Sequence, residues 1–331
     1  MTEEIKATAR ACSNIAFIKY WGKQDFEQNI PLNDSVSMCL SEATTTTTVQ
    51  WSAELTDDEI YLDGERVLDH RALRISRYLD GIRNQYYRLA ARVASVNSFP
   101  AGTGIASSAS AFAALGTAAI AAFGEDLPEE AEMTRWARRG SGSASRSIPA
   151  GFVEWVGGDD DSGSVSRQIC GPEHWDLRDI VVVVSRKPKA ISSSEGHRIA
   201  TRHPFMEQRQ RDLGGRITAL KGALVARDFP TFGEIVEHEA MEVQAIMMSG
   251  RPSALYMQGD TVRLIHALRA FRDEAGVPVY FTLDAGPNLH VLCEGKHAPR
   301  VEAWLTEMAP RAELLHNRPG PGTQLLDEHL V

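Results

Sequence analysis

Apolar and polar positions along the chain alternate between strand-like and helix-like patterns, which predicts a mixed α and β fold. Residues 44–51 form a β-branched run typical of a strand. Two short strand-like runs, 60–62 and 66–68, flank Asp63-Gly64, a pair typical of a tight hairpin turn. Residues 70–83 carry apolar side chains at helical spacing. These patterns predict a strand, a hairpin and a helix in succession.

The rest of the chain continues this mixture, with most helices in the second half. The predicted elements are a helix over 108–123, a helix that begins at Pro128 and ends before Gly140, a strand over 152–156, a turn over 157–163, a buried strand over 180–184, mainly helices to about residue 275, and strands near 279–283 and 289–293. The three aspartates of the turn lack calcium-ligand spacing, which favours a solvated hairpin tip. Residues 170–178 come nearest to a linker, so we place a lobe boundary there.

Composition narrows the function classes. A chain of 331 residues with 43% hydrophobic content can bury a large core in two lobes. The formal net charge of -9 argues against a general nucleic-acid binder. The N-terminus lacks an apolar signal core and no 18-residue apolar run occurs, so neither export nor membrane spanning is expected. Four scattered cysteines without metal-ligand spacing fit a reduced, cytoplasmic compartment.

The loop and helix at 97–115 form a candidate phosphate-binding site. A Gly/Ser/Thr loop opens there directly into an Ala-rich helix, so backbone N–H groups and the positive end of the helix dipole can converge on an anion. The spacing is neither that of a dinucleotide-binding loop nor that of a P-loop, and tight packing is the alternative interpretation. The candidate phosphate-binding residues are Ser98, Gly102, Gly104, Ser107 and Ser108.

Three further motifs complete a family resemblance. Residues 13–23 carry two lysines around Tyr-Trp-Gly, 138–155 form a second small-residue loop, and 281–288 read Phe-Thr-Leu-Asp-Ala-Gly-Pro-Asn. Taken with 97–115 in their order along the chain, these motifs closely resemble those of the diphosphomevalonate decarboxylases of the GHMP kinase superfamily. The resemblance covers nearly the whole chain.

The resemblance implies a two-lobed α+β fold with the active site between the lobes. The N-terminal lobe, residues 1–178, would be a ribosomal-protein-S5-like α/β unit that binds nucleotide and substrate. The C-terminal lobe, residues 179–331, would be ferredoxin-like. ATP, bound by the candidate phosphate-binding residues of the 97–115 loop, would phosphorylate the tertiary hydroxyl of a phosphorylated mevalonate before carbon dioxide leaves. Mg²⁺ would be brought by ATP, with no metal site of protein ligands. A homodimer is also implied.

The resemblance assigns catalytic roles to Asp284, Arg146 and Lys19. Asp284 would orient the hydroxyl and accept its proton, although an Asx-turn also explains an aspartate in Asp-Ala-Gly-Pro. Arg146 would hold the substrate carboxylate with its planar fork, and a surface ion pair is the alternative. Lys19 lies in an apolar, strand-like run and would need an anionic partner such as Asp284 if buried, whereas an exposed strand edge would leave it in solvent.

Substrate contacts and one departure from the family pattern bear on specificity. The candidate substrate-binding residues are Tyr20, Lys23, Ser141, Gly142, Ser143, Ser193 and Ser194. The diphosphate-specific family usually reads Ser-Ser-Arg-x-Gly-Met where this chain has Ser-Ser-Ser-Glu-Gly-His at 192–197. Loss of that arginine favours mevalonate 5-phosphate over the 5-diphosphate, unless Arg198 compensates. The histidines at 197, 203, 238 and 290 are interpreted as ordinary surface or core residues.

Two other function classes compete with this interpretation. A sister class of kinases phosphorylates mevalonate or its phosphate without decarboxylation, but it lacks the combination of Asp284, Arg146 and Lys19. A non-enzymatic binding or regulatory module would be expected to lose Asp284 or to carry a damaged 100–110 loop. Both features are intact in this sequence.

Overall fold

The protein is described by a computed structural model that covers residues 5–85, 89–99, 106–124, 126–187 and 190–331. Within these ranges the strands are β1 (Ile5–Ile18), β2 (Lys23–Asp25), β3 (Ile30–Pro31), β4 (Ser35–Ser52), β5 (Glu59–Leu62), β6 (Glu65–Arg66), β7 (Ala90–Asn97), β8 (Phe152–Trp155), β9 (Ser166–Cys170), β10 (Leu177–Val183), β11 (Tyr280–Leu283), β12 (Leu289–Glu294), β13 (Glu313–Asn317) and β14 (Gln324–Leu326). The α-helices are α1 (His70–Arg83), α2 (Ser107–Ala121), α3 (Glu130–Gly140), α4 (Ser193–Thr201), α5 (Phe205–Ala226), α6 (Phe229–Ser249), α7 (Gly259–Ala275) and α8 (Ala298–Met308).

The first half of the chain is organised around a mixed eight-stranded sheet with β4 near its centre. β4 pairs with β1 from Ile5↔Trp51 to Ile18↔Val36 and also with β7 and β8. Its run of threonines favours extended backbone, because β-branched side chains pack well on a pleated surface. The last strand, β14, pairs with β1, so the end of the chain returns to this first sheet.

The second half carries a four-stranded antiparallel sheet in the order β11-β12-β10-β13. Helix α6 packs on β11, and α5 packs along α6. Asp228 caps α6 by accepting a hydrogen bond from the Thr231 N–H, which satisfies one of the free donors at the start of the helix. The sheet therefore supports α6, whose residues reach the site described below.

A continuous apolar core joins the two halves. Phe17 and Met38 of the first sheet belong to the same buried cluster as Trp175 and Phe232 of the second half. The rings of Phe17 and Phe232 meet edge to face with centroids 4.8 Å apart. Because close-packed side chains resist sliding, this core fixes the two sheets relative to each other.

Most local elements appear where the sequence predicts them. The hairpin is confirmed: β5 and β6 pair at Tyr61↔Arg66 and Leu62↔Glu65 around a turn with positive φ at Asp63 and Gly64. The helix over 70–83 is confirmed as α1, whereas α3 begins two residues after Pro128 and includes Gly140. Over the described ranges, no helix combines the length and apolar character needed to cross a membrane.

The expectation that Lys19 lies inside a strand is wrong. β1 ends at Ile18, after a register shift between Ala16 and Ile18. The backbone N–H and carbonyl of Lys19 are bound by side chains, including Glu239 and Arg209 from the second half, instead of by a neighbouring strand.

The contact between α6 and β11 gives a testable prediction. A Cβ atom at Gly233 would lie 2.0 Å from Cδ2 of the buried Tyr280 ring, whereas one at Gly222 on α5 would meet no atom within 4 Å. We expect Gly233→Ala to lower the free energy of unfolding by about 1–3 kcal/mol. Gly222→Ala should raise it by up to about 1 kcal/mol, because alanine favours helix. Thermal unfolding of both variants checks this, and equal melting temperatures would contradict the packing described.

Candidate active site

A cleft of about 330 Å³ lies between the two halves of the molecule. It gathers the end of β1, the first turns of α2 and α4, the loop after α3 and the end of β11. The candidate residues that line it are Lys19, Tyr20, Lys23, Ser107, Ser108, Ser141, Gly142, Ser143, Arg146, Ser193, Ser194 and Asp284. Tertiary folding therefore brings together side chains that are up to 265 positions apart in sequence.

An ion pair between Lys19 and Asp284 crosses the cleft from one half to the other. Nζ of Lys19 lies 2.7 Å from Oδ1 of Asp284, and Lys19 is only 4% exposed. Burial lowers the pKa of Lys19, an effect that Asp284 opposes. Burial alone would raise the pKa of Asp284, but Lys19, His290 and Arg146 outweigh it and hold the pKa below its usual range. The Asp284 carboxylate is therefore ionised at neutral pH.

The local backbone directs the Asp284 carboxylate into the cleft. β11 ends one residue earlier, and the turn that follows is closed by a backbone hydrogen bond from the Gly286 N–H to the Asp284 carbonyl. The same carbonyl accepts a hydrogen bond from Nε2 of the buried Gln244. In an Asx-turn the Gly286 N–H would bond to the Asp284 side chain, but here it bonds to the backbone carbonyl, and the carboxylate contacts Lys19.

Arg146 is buried without a carboxylate partner. It lies in a short 3₁₀ helix over Gly142–Ser147 and is 3% exposed. Its guanidinium donates to the neutral oxygens of Ser35 (2.8 Å) and Asn14 (3.1 Å), and among the described residues it forms no ion pair. Burial lowers the pKa of Arg146 to about 10, opposed by Asp284, so the side chain stays charged at neutral pH. The surface ion-pair alternative is wrong, and a buried unpaired cation of this kind suits an anionic ligand.

The small residues after α3 leave room for a large side chain. A Cβ atom at Gly142 would lie 2.6 Å from the hydroxyl oxygen of Tyr20, so glycine is needed for this close approach. That hydroxyl is buried and has no hydrogen-bond partner among the described residues. Ser141 contacts Ser108 through their hydroxyl oxygens, 3.1 Å apart, which joins this loop to the first turn of α2.

Two helix N-termini face the cleft. α2 begins at Ser107, after Ala106 in a left-handed conformation with φ of 47°, and α4 begins at Ser193 with Ser192 as its N-cap. A left-handed alanine is strained and is typical of functional sites. The positive end of the helix dipole makes both termini favourable for phosphate oxygens.

Among the candidate phosphate-binding residues that the structure describes, Ser107 and Ser108 line this cleft and Ser98 does not. Gly102 and Gly104 lie outside the described residues. The Ser98 hydroxyl donates to the carbonyl of Glu42 and accepts from the N–H of Thr44, and Ser98 does not line the cleft. The structure therefore gives Ser98 a local role in holding the end of β7 against β4.

A second, strongly basic chamber of about 660 Å³ continues from the cleft past Lys23. Arginines line it at positions 74, 77, 139 and 198. Burial lowers the pKa of Lys23 to about 8, and Arg74 and Arg198 add to the shift. Arg198 also pairs with Glu195 at 3.2 Å, so part of its charge is already neutralised.

A third chamber of about 270 Å³ adjoins the first turn of α2 and is largely apolar. Its apolar lining comes from Leu62, Ile75, Val93, Ala111, Phe112 and Leu115. Ser107, Ser108 and Arg74 line both this chamber and the central cleft. The two cavities therefore adjoin at the first turn of α2.

Sequence reasoning missed several residues of the cleft. His197 lies against Tyr20 and Trp21, with ring centroids 4.2 and 4.7 Å away, and its Nδ1 accepts a hydrogen bond from the Gly22 N–H. Arg74 and Gln244 come from α1 and α6, far from any motif. Arg74 and Gln244 carry no local sequence signal, because only the packing of distant helices brings them to the cleft. His197 ends the 192–197 motif, but the interpretation of it as an ordinary surface or core residue did not assign it to the cleft.

The fold and the site together define a class of enzyme. Two lobes enclose a cleft that combines helix N-termini, an unpaired buried arginine and an aspartate held by a lysine, as expected for an enzyme acting on small phosphorylated acids. Two family descriptions match the chain: the diphosphomevalonate decarboxylase-like N-terminal domain over 11–166 and the mevalonate 5-diphosphate decarboxylase C-terminal domain over 179–321. The chain belongs to the mevalonate diphosphate decarboxylase family, within the GHMP kinase fold.

Individual relatives agree with this assignment. The phosphomevalonate decarboxylase of Haloferax volcanii is 32% identical over 299 residues, which is 90% of this chain and 91% of the relative. The crystal structure of mevalonate diphosphate decarboxylase from Staphylococcus aureus is 33% identical, with a TM-score of 0.92 over 97% of this chain and 98% of that one. The structure of MDDEF in complex with MVAPP, AMPPCP and magnesium is 32% identical, with a TM-score of 0.91 over 98% and 99%.

Proposed function

We propose that this protein is an ATP-dependent decarboxylase that prefers mevalonate 5-phosphate and yields isopentenyl phosphate, ADP, phosphate and carbon dioxide. The observation that carries the proposal is the unpaired, buried Arg146 in the same cleft as the Lys19–Asp284 ion pair. The names of the relatives support the reaction class. A cytoplasmic location, expected from the sequence, and a homodimer, implied by the family resemblance, stay predictions.

The reaction explains why one site needs both a phosphate-binding and a carboxylate-binding part. A 3-hydroxy acid loses carbon dioxide poorly, because the electrons of the broken C–C bond have no carbonyl to receive them. Transfer of the ATP γ-phosphoryl group to the tertiary hydroxyl supplies a good leaving group. The carboxylate then leaves as carbon dioxide, a double bond forms between the second and third carbons, and phosphate departs.

Asp284 and Lys19 act on the tertiary hydroxyl. The ionised carboxylate of Asp284 orients the hydroxyl by accepting its hydrogen bond and takes its proton as phosphoryl transfer proceeds. Lys19 holds the carboxylate through its 2.7 Å contact with Oδ1 and keeps it ionised in a buried place. The second carboxylate oxygen is left to face the substrate.

Arg146 binds the carboxylate that will leave. Its guanidinium is positioned by Ser35 and Asn14, whose neutral oxygens do not cancel its charge. The Nε atom has no hydrogen-bond partner among the described residues. A bound carboxylate would supply the missing acceptor and balance the charge.

ATP fits across the boundary between the central cleft and the apolar chamber. The base would lie among the apolar residues of that chamber, and Ser107 and Ser108 would meet the phosphates at the start of α2. The MDDEF complex with AMPPCP and magnesium supports this pairing of nucleotide and metal. Mg²⁺ would supply charge neutralisation on the phosphate oxygens, with Ser107 or Ser108 as its nearest protein ligand.

The preference for the monophosphate rests on α4. Ser194 lines both the cleft and the basic chamber, at the position where the diphosphate-specific pattern has arginine. The cation one helical turn further on, Arg198, is paired with Glu195. Lys23 and Arg74 would meet one phosphate group, whereas the terminal phosphate of a diphosphate would lie beside the neutral Ser194, and the nearby Arg198 is held by Glu195. The Haloferax volcanii relative is itself a phosphomevalonate decarboxylase, which supports this choice.

The role of Asp284 is tested by Asp284→Asn. The amide keeps the shape of the side chain but cannot accept the proton, so we expect turnover to fall by roughly 10²–10⁴-fold with little change in substrate binding. Coupled measurement of ADP and carbon dioxide release checks this. Near-normal turnover would contradict the assignment, and ADP formation without carbon dioxide release by the unmodified enzyme would indicate the kinase alternative.

The role of Arg146 is tested by Arg146→Lys, which keeps the charge and removes the planar fork. We expect kcat/KM for decarboxylation to fall by at least about 100-fold, since the lysine cannot form two parallel hydrogen bonds to the carboxylate. The KM for ATP should change little. Unchanged kinetics of the purified variant would show that Arg146 does not bind the carboxylate.

Substrate preference is tested by comparing mevalonate 5-phosphate with the 5-diphosphate at one ionic strength. The unmodified enzyme should have the higher kcat/KM with the monophosphate. Ser194→Arg should shift the ratio toward the diphosphate by about 10-fold or more, because the new cation attracts only the longer substrate. The shift should shrink at high salt.

Two variants that each remove one carboxylate charge form a second test and its matched control. Glu195→Gln frees Arg198 and should also shift the ratio toward the diphosphate, though less than Ser194→Arg. Glu207→Gln removes a carboxylate from a comparable exposed pair with Arg211, outside the cleft, and should leave the ratio unchanged. A clear preference of the unmodified enzyme for the diphosphate would overturn the substrate assignment but not the reaction.

A further inference from the structure

Three side chains hold the backbone of Lys19. The Lys19 N–H donates to Oε1 of Glu239 at 2.8 Å. Its carbonyl accepts one hydrogen bond from Nη2 of Arg209 and one from Nδ2 of Asn33, each at 3.0 Å. We call Glu239, Arg209 and Asn33 the Lys19 clamp. Both peptide groups of the residue are thus fixed by side chains, two of which come from the helices of the second half.

The two charged members of the clamp are among the most buried groups in the protein. Glu239 is 0% exposed and Arg209 is 1% exposed. They bind each other through two parallel contacts, at 2.5 and 2.9 Å. Arg216 contacts Glu239 and Glu242, and Glu242 also contacts Arg209 at 2.6 Å, so two arginines balance two glutamates. A buried network with balanced charge and close hydrogen bonds holds a fixed geometry.

The clamp replaces the hydrogen bonds that a strand would have supplied. β1 ends at Ile18, so no neighbouring strand fixes the backbone from which the Lys19 side chain extends. The four-carbon stem of a lysine has many rotamers, and a small shift of its Cα would move Nζ away from the 2.7 Å contact with Asp284. Fixing both peptide groups of Lys19 limits that movement.

We infer that Glu239, Arg209 and Asn33 are positioning residues that act on the reaction through Lys19, by setting where its ammonium meets Asp284. Glu239 and Arg209 do not line the cleft, so they have no contact of their own with a substrate there. The inference rests on the proposed function, because it assigns the clamp to the same Lys19–Asp284 pair. It extends that function to a network on α5 and α6 that carries no recognisable motif.

The test uses variants that preserve charge and shorten reach. Glu239→Asp and Arg209→Lys keep the network balanced but withdraw the group that contacts Lys19. We expect kcat to fall by about 10- to 100-fold, as for a misplaced catalytic group, with KM for ATP and for mevalonate 5-phosphate within about threefold of the unmodified enzyme. Glu237→Asp is the matched control: Glu237 is a buried carboxylate on the same helix, paired with Arg269 and Arg272. Its kcat should stay within about twofold.

Several outcomes would overturn the inference. One is a kcat for Glu239→Asp within about threefold of the Glu237→Asp control. Another is an equal fall of kcat in Glu239→Asp and in the Glu237→Asp control, together with equal losses of melting temperature, since that pattern describes general destabilisation. A third is a rise in KM that accounts for the whole loss of kcat/KM.

Asn33→Ala keeps the test decisive if Glu239→Asp and Arg209→Lys fail to fold. It removes one donor to the Lys19 carbonyl and leaves every ion pair of the network in place. We expect kcat to fall by about 3- to 10-fold at unchanged KM, and an unchanged kcat would count against the clamp. Failure of the proposed function is distinguished separately, because it would show as an unmodified enzyme that releases no carbon dioxide from either phosphorylated mevalonate.

Discussion

The ion pair between Lys19 and Asp284 is the contact that joins the two halves of the site, and the surrounding structure holds it in place. Its two partners follow the ends of β1 and β11, strands of different sheets, so their 2.7 Å separation depends on how the two sheets are packed against each other. A buried ion pair is also costly to desolvate unless its surroundings hold it well. The shared core around Phe17 and Phe232 fixes this packing, and the charge network on α5 and α6 holds the backbone at the lysine.

The distribution of charge inside the molecule matters more than its total. The chain carries a formal net charge of -9, yet the cleft and the basic chamber beside it are lined by cations. Many arginines elsewhere in the protein are paired with carboxylates, whereas Arg146 is held by neutral oxygens. A positively charged cleft in an acidic protein attracts anionic substrates locally, without giving the whole surface an affinity for other polyanions.

Specificity within this family can change without any change of fold. The relatives include decarboxylases named for the monophosphate and for the diphosphate, and both cover most of this chain at about one-third identity. The difference expected here is confined to one turn of α4, where Ser194 is neutral and Glu195 pairs with Arg198. Under the proposed function, the presence or absence of a cation at position 194 would alter the field at the far end of the substrate without touching the Lys19–Asp284 pair.

The sequence alone determined the local elements and the residues with recognisable chemistry. The Asp63-Gly64 turn, the helix over 70–83 and the small-residue loops follow from backbone preferences of neighbouring residues, and the motif resemblance indicated Lys19, Arg146 and Asp284. Tertiary structure decided which of these residues meet. In the folded protein Lys19 follows the end of β1, and the Ser98 hydroxyl holds the end of β7 against β4. Arg74 and His197 line the cleft, whereas Glu239 lies outside it and binds the backbone of Lys19. Such contacts join distant segments through packing, and no pattern within one segment encodes them.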